Sequence, residues 1–171
     1  VEVGGRLRVV DASASGDGTA NEALNGLMRA RAAGHNHTAF SILPVGTGND
    51  MNFGLARHQG MEEAVKALAE NHRRKIDVGL IRGGDYPDGR YFANGVGIGF
   101  DAVVGFEAVK LTWLSGFPSY IVAVLKTIFL YFHAPLVKLE YQGQSLELPT
   151  LMVSIMNGRR MGGGFMMAPQ A

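Results

Sequence analysis

The chain has 171 residues, of which 24 are glycine and none is cysteine. Sixteen lysines and arginines balance fifteen aspartates and glutamates, and 47% of the residues are hydrophobic. Glycine at twice its usual frequency of about 7% is thus combined with enough apolar side chains for a folded core, which excludes collagen and argues against disorder. The lack of cysteine excludes a disulfide scaffold, a zinc knuckle and a thiol nucleophile, and the balanced charge argues against nucleic acid as a partner.

The first segment of the chain has the pattern of a strand, a loop and a helix. A β-branched run at 7–10 predicts a strand, and residues 11–19 predict a glycine loop. Apolar residues then recur at helical spacing over 20–34, which predicts a helix. Thr19 and Glu22 have the capping-box spacing at the start of this helix.

The same arrangement then repeats. A strand is predicted at 39–45, and it is followed directly by a second glycine loop at 46–50 and a short helical piece to about residue 57. Residues 61–72 have apolar side chains on one face and acids near the start, which indicates an amphipathic helix. The pattern changes after this helix, so we expect a domain boundary near 73–76.

The second half of the chain is richer in strands. Two strand pairs flank one long helix or helix pair, and the predicted ranges are 76–81, 91–100, 102–133, 136–141 and 146–156. Alternating strands and helices followed by mostly antiparallel strands predict an α/β domain over 1–75 and a β-rich domain over 76–171. The apolar stretch at 111–137 is interrupted by Pro118, Lys126 and His133, so it falls short of the roughly 20 apolar residues that a membrane span needs.

Ten of the glycines lie in four clusters, at 16 and 18, at 46 and 48, at 95, 97 and 99, and at 162–164. Glycine N–H groups at a strand-to-helix junction form a nest for anions, and no Cβ blocks the approach of a ligand. A tight turn also needs glycine for steric reasons alone, so either of the first two loops taken singly fits both interpretations. The two loops together, with Asp17, Thr19, Thr47 and Asp50 beside them, favour phosphate binding.

Common phosphate-binding motifs do not account for these loops. No Gly-Lys pair occurs, which excludes the P-loop, and the His-Arg-Asp and Asp-Phe-Gly motifs of protein kinases are absent as well. Gly97, Gly99 and Ala102 have the spacing of a dinucleotide fingerprint. No acid follows at the distance of about 20 residues where a ribose would be bound, so we interpret this match as chance.

Four motifs follow one another along nearly the whole chain. They are Ser15-Gly16-Asp17-Gly18-Thr19-x-Asn21-Glu22 with Asn25-Gly26, Pro44-x-Gly46-Thr47-Gly48-Asn49-Asp50, Asn94-x-x-Gly97-x-Gly99-Phe100-Asp101, and Asn157-Gly158-x-x-x-Gly162-Gly163-Gly164 with Pro169-x-Ala171. In this order and spacing they resemble the motifs of the diacylglycerol kinase catalytic domain superfamily. That superfamily includes sphingosine and ceramide kinases and the bacterial YegS-like lipid kinases.

The resemblance implies a lipid kinase with an α/β, Rossmann-like N-terminal domain and a β-sandwich C-terminal domain. It also implies that the γ-phosphoryl group of ATP is transferred to a lipid hydroxyl, with Mg²⁺, at a membrane surface. On the family pattern the nucleotide-binding residues are Ser15, Gly16, Asp17, Gly18, Thr19, Ala20, Asn21, Gly46, Thr47, Gly48, Asn49 and Asp50. Asp17 is the predicted catalytic carboxylate, orienting a metal or the nucleophile, and Asp101 is expected near the lipid substrate. The metal ligands are not assigned.

Two other functions stay open at this point. Polyphosphate/NAD kinases resemble this superfamily through their own Gly-Gly-Asp-Gly loop, so one alternative is a kinase for a non-lipid substrate. The other is a non-catalytic module that binds a nucleotide or a lipid. The family's opening Asn-Pro strand and its Asp-Gly segment after Pro169-x-Ala171 are missing, so we expect a chain incomplete at both ends, with weak or no kinase activity on its own. We expect a cytoplasmic protein peripheral to the membrane, for which a homodimer is a compatible assembly.

Overall fold

The computed structural model describes residues 2–3, 6–7, 10–35, 38–56, 60–111 and 117–171. The chain forms two units, one of residues 1–95 with 156–171 and one of residues 96–155. This division differs from the predicted domains 1–75 and 76–171, because residues 76–95 and 156–171 belong to the first unit. One reason is that Tyr91 is hydrogen-bonded to Asn25 of the first helix and Arg160 is hydrogen-bonded to Asp50, which ties both segments to the first unit.

The first unit is centred on a parallel pair of strands. Two short strands, β1 (Glu2–Val3) and β2 (Arg6–Leu7), form an antiparallel pair near the start of the chain. The strand β3 (Val10–Ser15) then pairs in parallel with β4 (Ala39–Pro44). Helix α1 (Asp17–Ala32) makes the crossover between them, as parallel strands require, so the predicted helix and the strand predicted at 39–45 are present. The strand predicted at 7–10 shares only Val10 with β3, and residues 8 and 9 lie outside the described residues.

The first glycine loop is shorter than predicted. β3 continues to Ser15 and α1 begins at Asp17, so Gly16 alone separates them and is the N-cap of the helix. The predicted loop over 11–19 is therefore wrong. The predicted capping box is also wrong, because Thr19 already lies inside the helix. Small side chains before Gly16 let the chain stay extended, and an acid in the first turn is favoured by the helix dipole.

The second glycine loop leads into the short helical piece that the sequence predicts. This piece is a π-helical turn (Asn52–Ala56), and α2 (Met61–Ala69) follows it. The strands β5 (Gly79–Gly83) and β6 (Tyr86–Phe92) then form an antiparallel hairpin, so β5 starts later than the predicted residue 76. A Cβ on Gly79 would overlap the ring of Phe92 across the pair, which is why the hairpin packs with glycine there.

The core of the first unit is formed by apolar residues from α1, β4, the segment 51–55 and the position after β6. Its buried members are Ala20, Leu24, Ile42, Met51, Leu55 and Ala93. Asn25 is buried as well and joins α1 to β6, because its Nδ2 donates to the Tyr91 carbonyl at 3.0 Å and its Oδ1 accepts the Tyr91 N–H at 2.9 Å. A buried amide that satisfies both backbone groups of one residue fixes the helix against the hairpin.

The second unit contains two helices and two strand pairs, of which the first residue, Gly95, and the last, Met156, already belong to the first unit. Its elements are β7 (Gly95–Gly99), α3 (Phe100–Lys110), α4 (Phe117–Tyr131), β8 (Leu136–Tyr141), β9 (Gln144–Pro149) and β10 (Met152–Met156). β7 pairs with β10, and β8 pairs with β9 across a turn at Gln142 and Gly143. Both turn residues have positive φ, 48° and 77°, as a two-residue type I′ hairpin requires. The predicted helix pair and the predicted class, an α/β part and a β-rich part, are confirmed.

A buried carboxylate joins the two helices of the second unit. Glu107 on α3 is only 3% exposed, and its two oxygens accept Nζ of Lys110 and Nζ of Lys126, each at 2.5 Å. Two hydrogen bonds lower the pKa of Glu107: the one from Lys110 has the larger effect, and the one from Lys126 comes second.

Among the residues that the structure describes, no helix is long and apolar enough to cross a membrane.

Candidate phosphate-binding site

The two glycine loops of the first unit meet at the N-terminus of α1. A Cβ built on Gly46 would overlap the Cα of Gly16 and lie 2.9 Å from its nitrogen, so the loops touch backbone to backbone. Gly16 brings no side chain to cap this 16-residue helix, and the first N–H groups of any helix have no partners within it. A helix N-terminus of this kind carries a partial positive charge and suits an anion such as phosphate.

The carboxylate of Asp17 lies where the loops meet. Its Oδ1 accepts the backbone N–H of Met51 at 2.7 Å, which ties the start of α1 to the residue after the second loop. Its Oδ2 would be 2.9 Å from a Cβ on Gly48, so glycine at 48 leaves room for the carboxylate. The predicted catalytic residue is therefore held in a fixed place beside both loops.

Asp50 is the buried acid of the second loop, with only 6% of its surface exposed. Its Oδ1 accepts Nε of Arg160 at 2.6 Å, and its Oδ2 accepts the N–H of Gly163 at 2.5 Å. Burial raises the pKa of Asp50, and the nearby charge of Asp17 raises it further. The Gly163 N–H and the Arg160 guanidinium oppose this shift. Burying a carboxylate costs free energy because the group loses its hydration, and the hydrogen bonds to both oxygens of Asp50 offset part of that cost.

Arg160 is the functional residue that the motif analysis missed. Its Nη2 donates to the carbonyl of Gly48 at 2.8 Å, and its guanidinium lies 4.3 Å from the centre of the Phe53 ring. The sequence gives one hint of its importance. Arg159 and Arg160 occupy two of the three unspecified positions between Gly158 and Gly162 in the last motif. A motif defined by its asparagine and glycines does not specify these positions, so only the fold shows that Arg160 reaches the second glycine loop.

Several other predicted residues lie on these loops. Ser15 is the last residue of β3, and Gly18 and Thr19 are exposed in the first turn of α1. Thr47 is exposed on the second loop. Nδ2 of Asn49 donates to the Gly46 carbonyl at 2.5 Å and so closes that loop on itself. Their contacts with a nucleotide stay a prediction.

Two further predicted residues are engaged elsewhere in the first unit. Ala20 is fully buried in the core. The side chain of Asn21 donates from Nδ2 to the Tyr91 carbonyl at 3.0 Å and accepts Nε of Arg90 at 3.1 Å. The structure thus gives both side chains packing roles, and a nucleotide contact for them also stays a prediction.

Asp101, the predicted lipid-substrate residue, belongs to the second unit. It lies in the first turn of α3, and its Oδ1 accepts the hydroxyl of Tyr120 on α4 at 2.9 Å. A Cβ on Gly97 would overlap the Asp101 carboxylate, so glycine at 97 makes room for this acid. The contact with a lipid stays a prediction.

The acidic side chains limit how a metal ion could be held. Within the described ranges, no group of three acidic or histidine side chains is placed to hold one. Mg²⁺ in kinase sites is bound through one or two carboxylates together with phosphate oxygens and water, and it does not need a cage made by the protein alone. Both oxygens of Asp50 accept protein donors, so Asp17 is the carboxylate of this site that fits the requirement.

Comparison with known families agrees with the motif analysis. The model of the diacylglycerol kinase catalytic domain matches residues 8–81, and the model of the YegS C-terminal NAD kinase beta sandwich-like domain matches residues 94–171. These two domains define a class of lipid kinases. The chain belongs to the diacylglycerol kinase catalytic domain superfamily, and it resembles the YegS-like branch in its second domain.

Individual relatives give the same assignment. The chain is 32% identical over 170 residues to a protein of Chromohalobacter salexigens described as a probable lipid kinase YegS-like, covering 98% of this chain and 50% of the relative. It is 29% identical over 161 residues to a diacylglycerol kinase of Staphylococcus carnosus, covering 92% and 48%. A crystal structure of a diacylglycerol kinase from Bacillus anthracis superposes with a TM-score of 0.63 at 25% identity, covering 94% and 49%. The chain spans about half the length of these relatives.

Proposed function

We propose that the chain is the ATP-binding part, and a portion of the lipid-binding part, of an ATP-dependent lipid kinase. The observation that carries the proposal is the meeting of two glycine loops at the N-terminus of α1, with the Asp17 carboxylate fixed beside them by the Met51 N–H. Phosphoryl transfer requires mainly the positioning of phosphates and the neutralisation of their charge. A helix N-terminus with glycines and one carboxylate supplies both.

Each part of the site has a role in this proposal. The N–H groups of Gly18 and Thr19 and the positive end of α1 bind phosphate oxygens of ATP. The exposed hydroxyls of Thr19 and Thr47 donate to the same group. Asp17 orients the attacking hydroxyl or holds Mg²⁺, which when bound neutralises charge on the phosphates. The glycines at 46 and 48 keep the two loops close enough to share one ligand.

Two observations support a lipid as the acceptor of the phosphoryl group: the exposed apolar side chains of the second unit and the descriptions of the relatives as lipid kinases. Large apolar side chains of the α3 and α4 segments are exposed, namely Phe106, Val109, Leu125, Phe129, Leu130 and Phe132. Exposed apolar area on this scale marks an interaction surface, and a kinase for a soluble acceptor has less use for one. We propose that the protein acts at the periphery of a membrane, where diacylglycerol and similar lipids present a hydroxyl group.

A transfer assay tests this function. Because we expect weak or no transfer by the 171-residue chain alone, the longer protein of which it is proposed to be a part is purified and incubated with Mg²⁺, ATP labelled at the γ-phosphate, and phosphatidylcholine vesicles that contain a minor fraction of diacylglycerol. Parallel reactions offer NAD or inorganic phosphate as the acceptor. We expect label in the lipid fraction only. Label in NAD would favour the non-lipid kinase, and vesicle binding without any transfer would favour a non-catalytic module.

A further inference from the structure

The guanidinium of Arg160 links two loops that are far apart in the sequence. Its Nε donates to Asp50 Oδ1 at 2.6 Å, and its Nη2 donates to the Gly48 carbonyl oxygen at 2.8 Å, so it contacts the second glycine loop at two points. The side chain is 22% exposed, and its guanidinium lies over the Phe53 ring. Two directed hydrogen bonds and an aromatic contact leave the planar fork of an arginine little freedom.

The segment that carries Arg160 is itself fixed to the same carboxylate. Asp50 Oδ2 accepts the N–H of Gly163 at 2.5 Å, so Asp50 binds both the side chain of Arg160 and a backbone group of the glycine cluster at 162–164. Met161 and Phe165 close this cluster by exchanging N–H to carbonyl bonds at 2.9 and 3.0 Å. Gly163 has a φ of 78°, a conformation that favours glycine.

The link reaches the proposed catalytic carboxylate through Gly48. A Cβ built on Gly48 would lie 2.9 Å from Asp17 Oδ2 and 3.6 Å from the Cα of Gly163. The carbonyl of Gly48 is held by Arg160, so the place of Gly48 beside Asp17 depends on that bond. One cation thus sets the position of the loop that faces Asp17.

Charge gives Arg160 a second effect. Asp50 lies close enough to Asp17 to be affected by its negative charge, and both carboxylates lie beside loops that we propose to bind phosphate. Two uncompensated carboxylates would repel a polyanion. Arg160 pairs with Asp50 and offsets the share of that repulsion that Asp50 would contribute, so it favours phosphate binding without contacting the phosphates.

We propose that Arg160 is a positioning residue of the phosphate-binding site, which holds the loop at 46–50 against the glycine cluster at 162–164 and neutralises Asp50. The expected change in the KM for ATP rests on the proposed function. The link between the loops is a property of the folded chain and can be measured without any kinase reaction.

The experiment compares three variants made in the longer protein of which this chain is proposed to be a part, because the chain alone is expected to have weak or no kinase activity. Arg160→Met removes the charge and both hydrogen bonds, and Arg160→Lys keeps the charge but cannot bind Asp50 and Gly48 with one planar fork. Arg159→Met is the matched control, because Arg159 is exposed and donates from Nε to the Ala171 carbonyl. The measurements are kcat and KM for ATP, the thermal midpoint, and amide hydrogen exchange at 162–164.

For Arg160→Met we expect a KM for ATP about tenfold higher, a smaller change in kcat, and exchange at Gly163 faster by about tenfold, each corresponding to the loss of one charged hydrogen bond. Arg160→Lys should be intermediate in both measurements, and Arg159→Met should stay within about twofold of wild type. Arg160→Lys alone decides the question if Arg160→Met does not fold.

A lower thermal midpoint with unchanged KM and unchanged exchange would overturn the inference, because it would make Arg160 a stabilising residue only. If the wild-type protein transfers no phosphate to lipid, the proposed function fails. Hydrogen exchange at Gly163 then still decides: faster exchange in Arg160→Met supports the link between the loops, and exchange equal to that of Arg159→Met refutes it.

Discussion

Substituting Gly46 by alanine tests whether the two glycine loops must touch. The new Cβ would overlap Gly16 Cα, lie 2.9 Å from Gly16 N and lie 3.0 Å from Asn49 Oδ1. Two of these three atoms are backbone and cannot rotate away. Overpacking of this kind costs about 1–3 kcal/mol, so the free energy of unfolding should fall by about that amount. Because the loops must separate to make room, the affinity for MgATP should fall as well.

Gly26→Ala is the matched control for this substitution. Gly26 is exposed within α1, and a Cβ there meets nothing within 4 Å. Alanine inside a helix is favoured over glycine by roughly 0.5–1 kcal/mol, so this variant should be slightly more stable and bind MgATP as wild type does. Urea unfolding and titration calorimetry measure the two quantities. A Gly46→Ala protein with wild-type stability and wild-type affinity for MgATP would refute the argument.

Two further predictions concern carboxylates. Asp17→Asn keeps an oxygen that can accept the Met51 N–H but removes the negative charge. Lipid phosphorylation should therefore fall by roughly 100-fold or more while the urea midpoint changes little, and a turnover equal to that of wild type would remove Asp17 from the mechanism. Because Lys110 and Lys126 lower the pKa of Glu107, the charged form stabilises the folded state above the ordinary value of about 4.5, and this stability is lost as the pH falls through the lowered pKa. Glu107→Gln should therefore lower the urea midpoint at pH 7 and have little effect in strong acid, and an equal loss at both pH values would contradict this assignment.

The sequence was sufficient to predict the elements whose patterns are local. The helix predicted at 20–34, the strand at 39–45, the pair of helices in the second unit and the strand at 136–141 follow from periodicity. The first glycine loop was misread because small residues before Gly16 carry neither a strand nor a loop signal of their own. Their conformation is set by pairing with β4, which lies about thirty residues further along the chain.

The candidate site was predictable only in part, for the same reason. Asp17 and the second loop stand in motifs that can be recognised one at a time, and the structure brings them together. The contact of Arg160 with Asp50 joins residues 110 positions apart, and no local pattern encodes it. Asn21 resembles a ligand contact in its motif, yet its amide is occupied by the backbone of β6. Long-range hydrogen bonds therefore decided which motif residues face the loops.

The most direct test of the central claim is the mapping of ATP on the folded chain by amide chemical shifts. ATP is added stepwise to isotope-labelled protein in the presence of Mg²⁺. We expect the largest and saturable changes at 16–19 and 46–50, with smaller changes at 162–164. Changes confined to other segments, such as the hairpin of β8 and β9, or no saturable change at all, would contradict the claim that the two glycine loops bind phosphate.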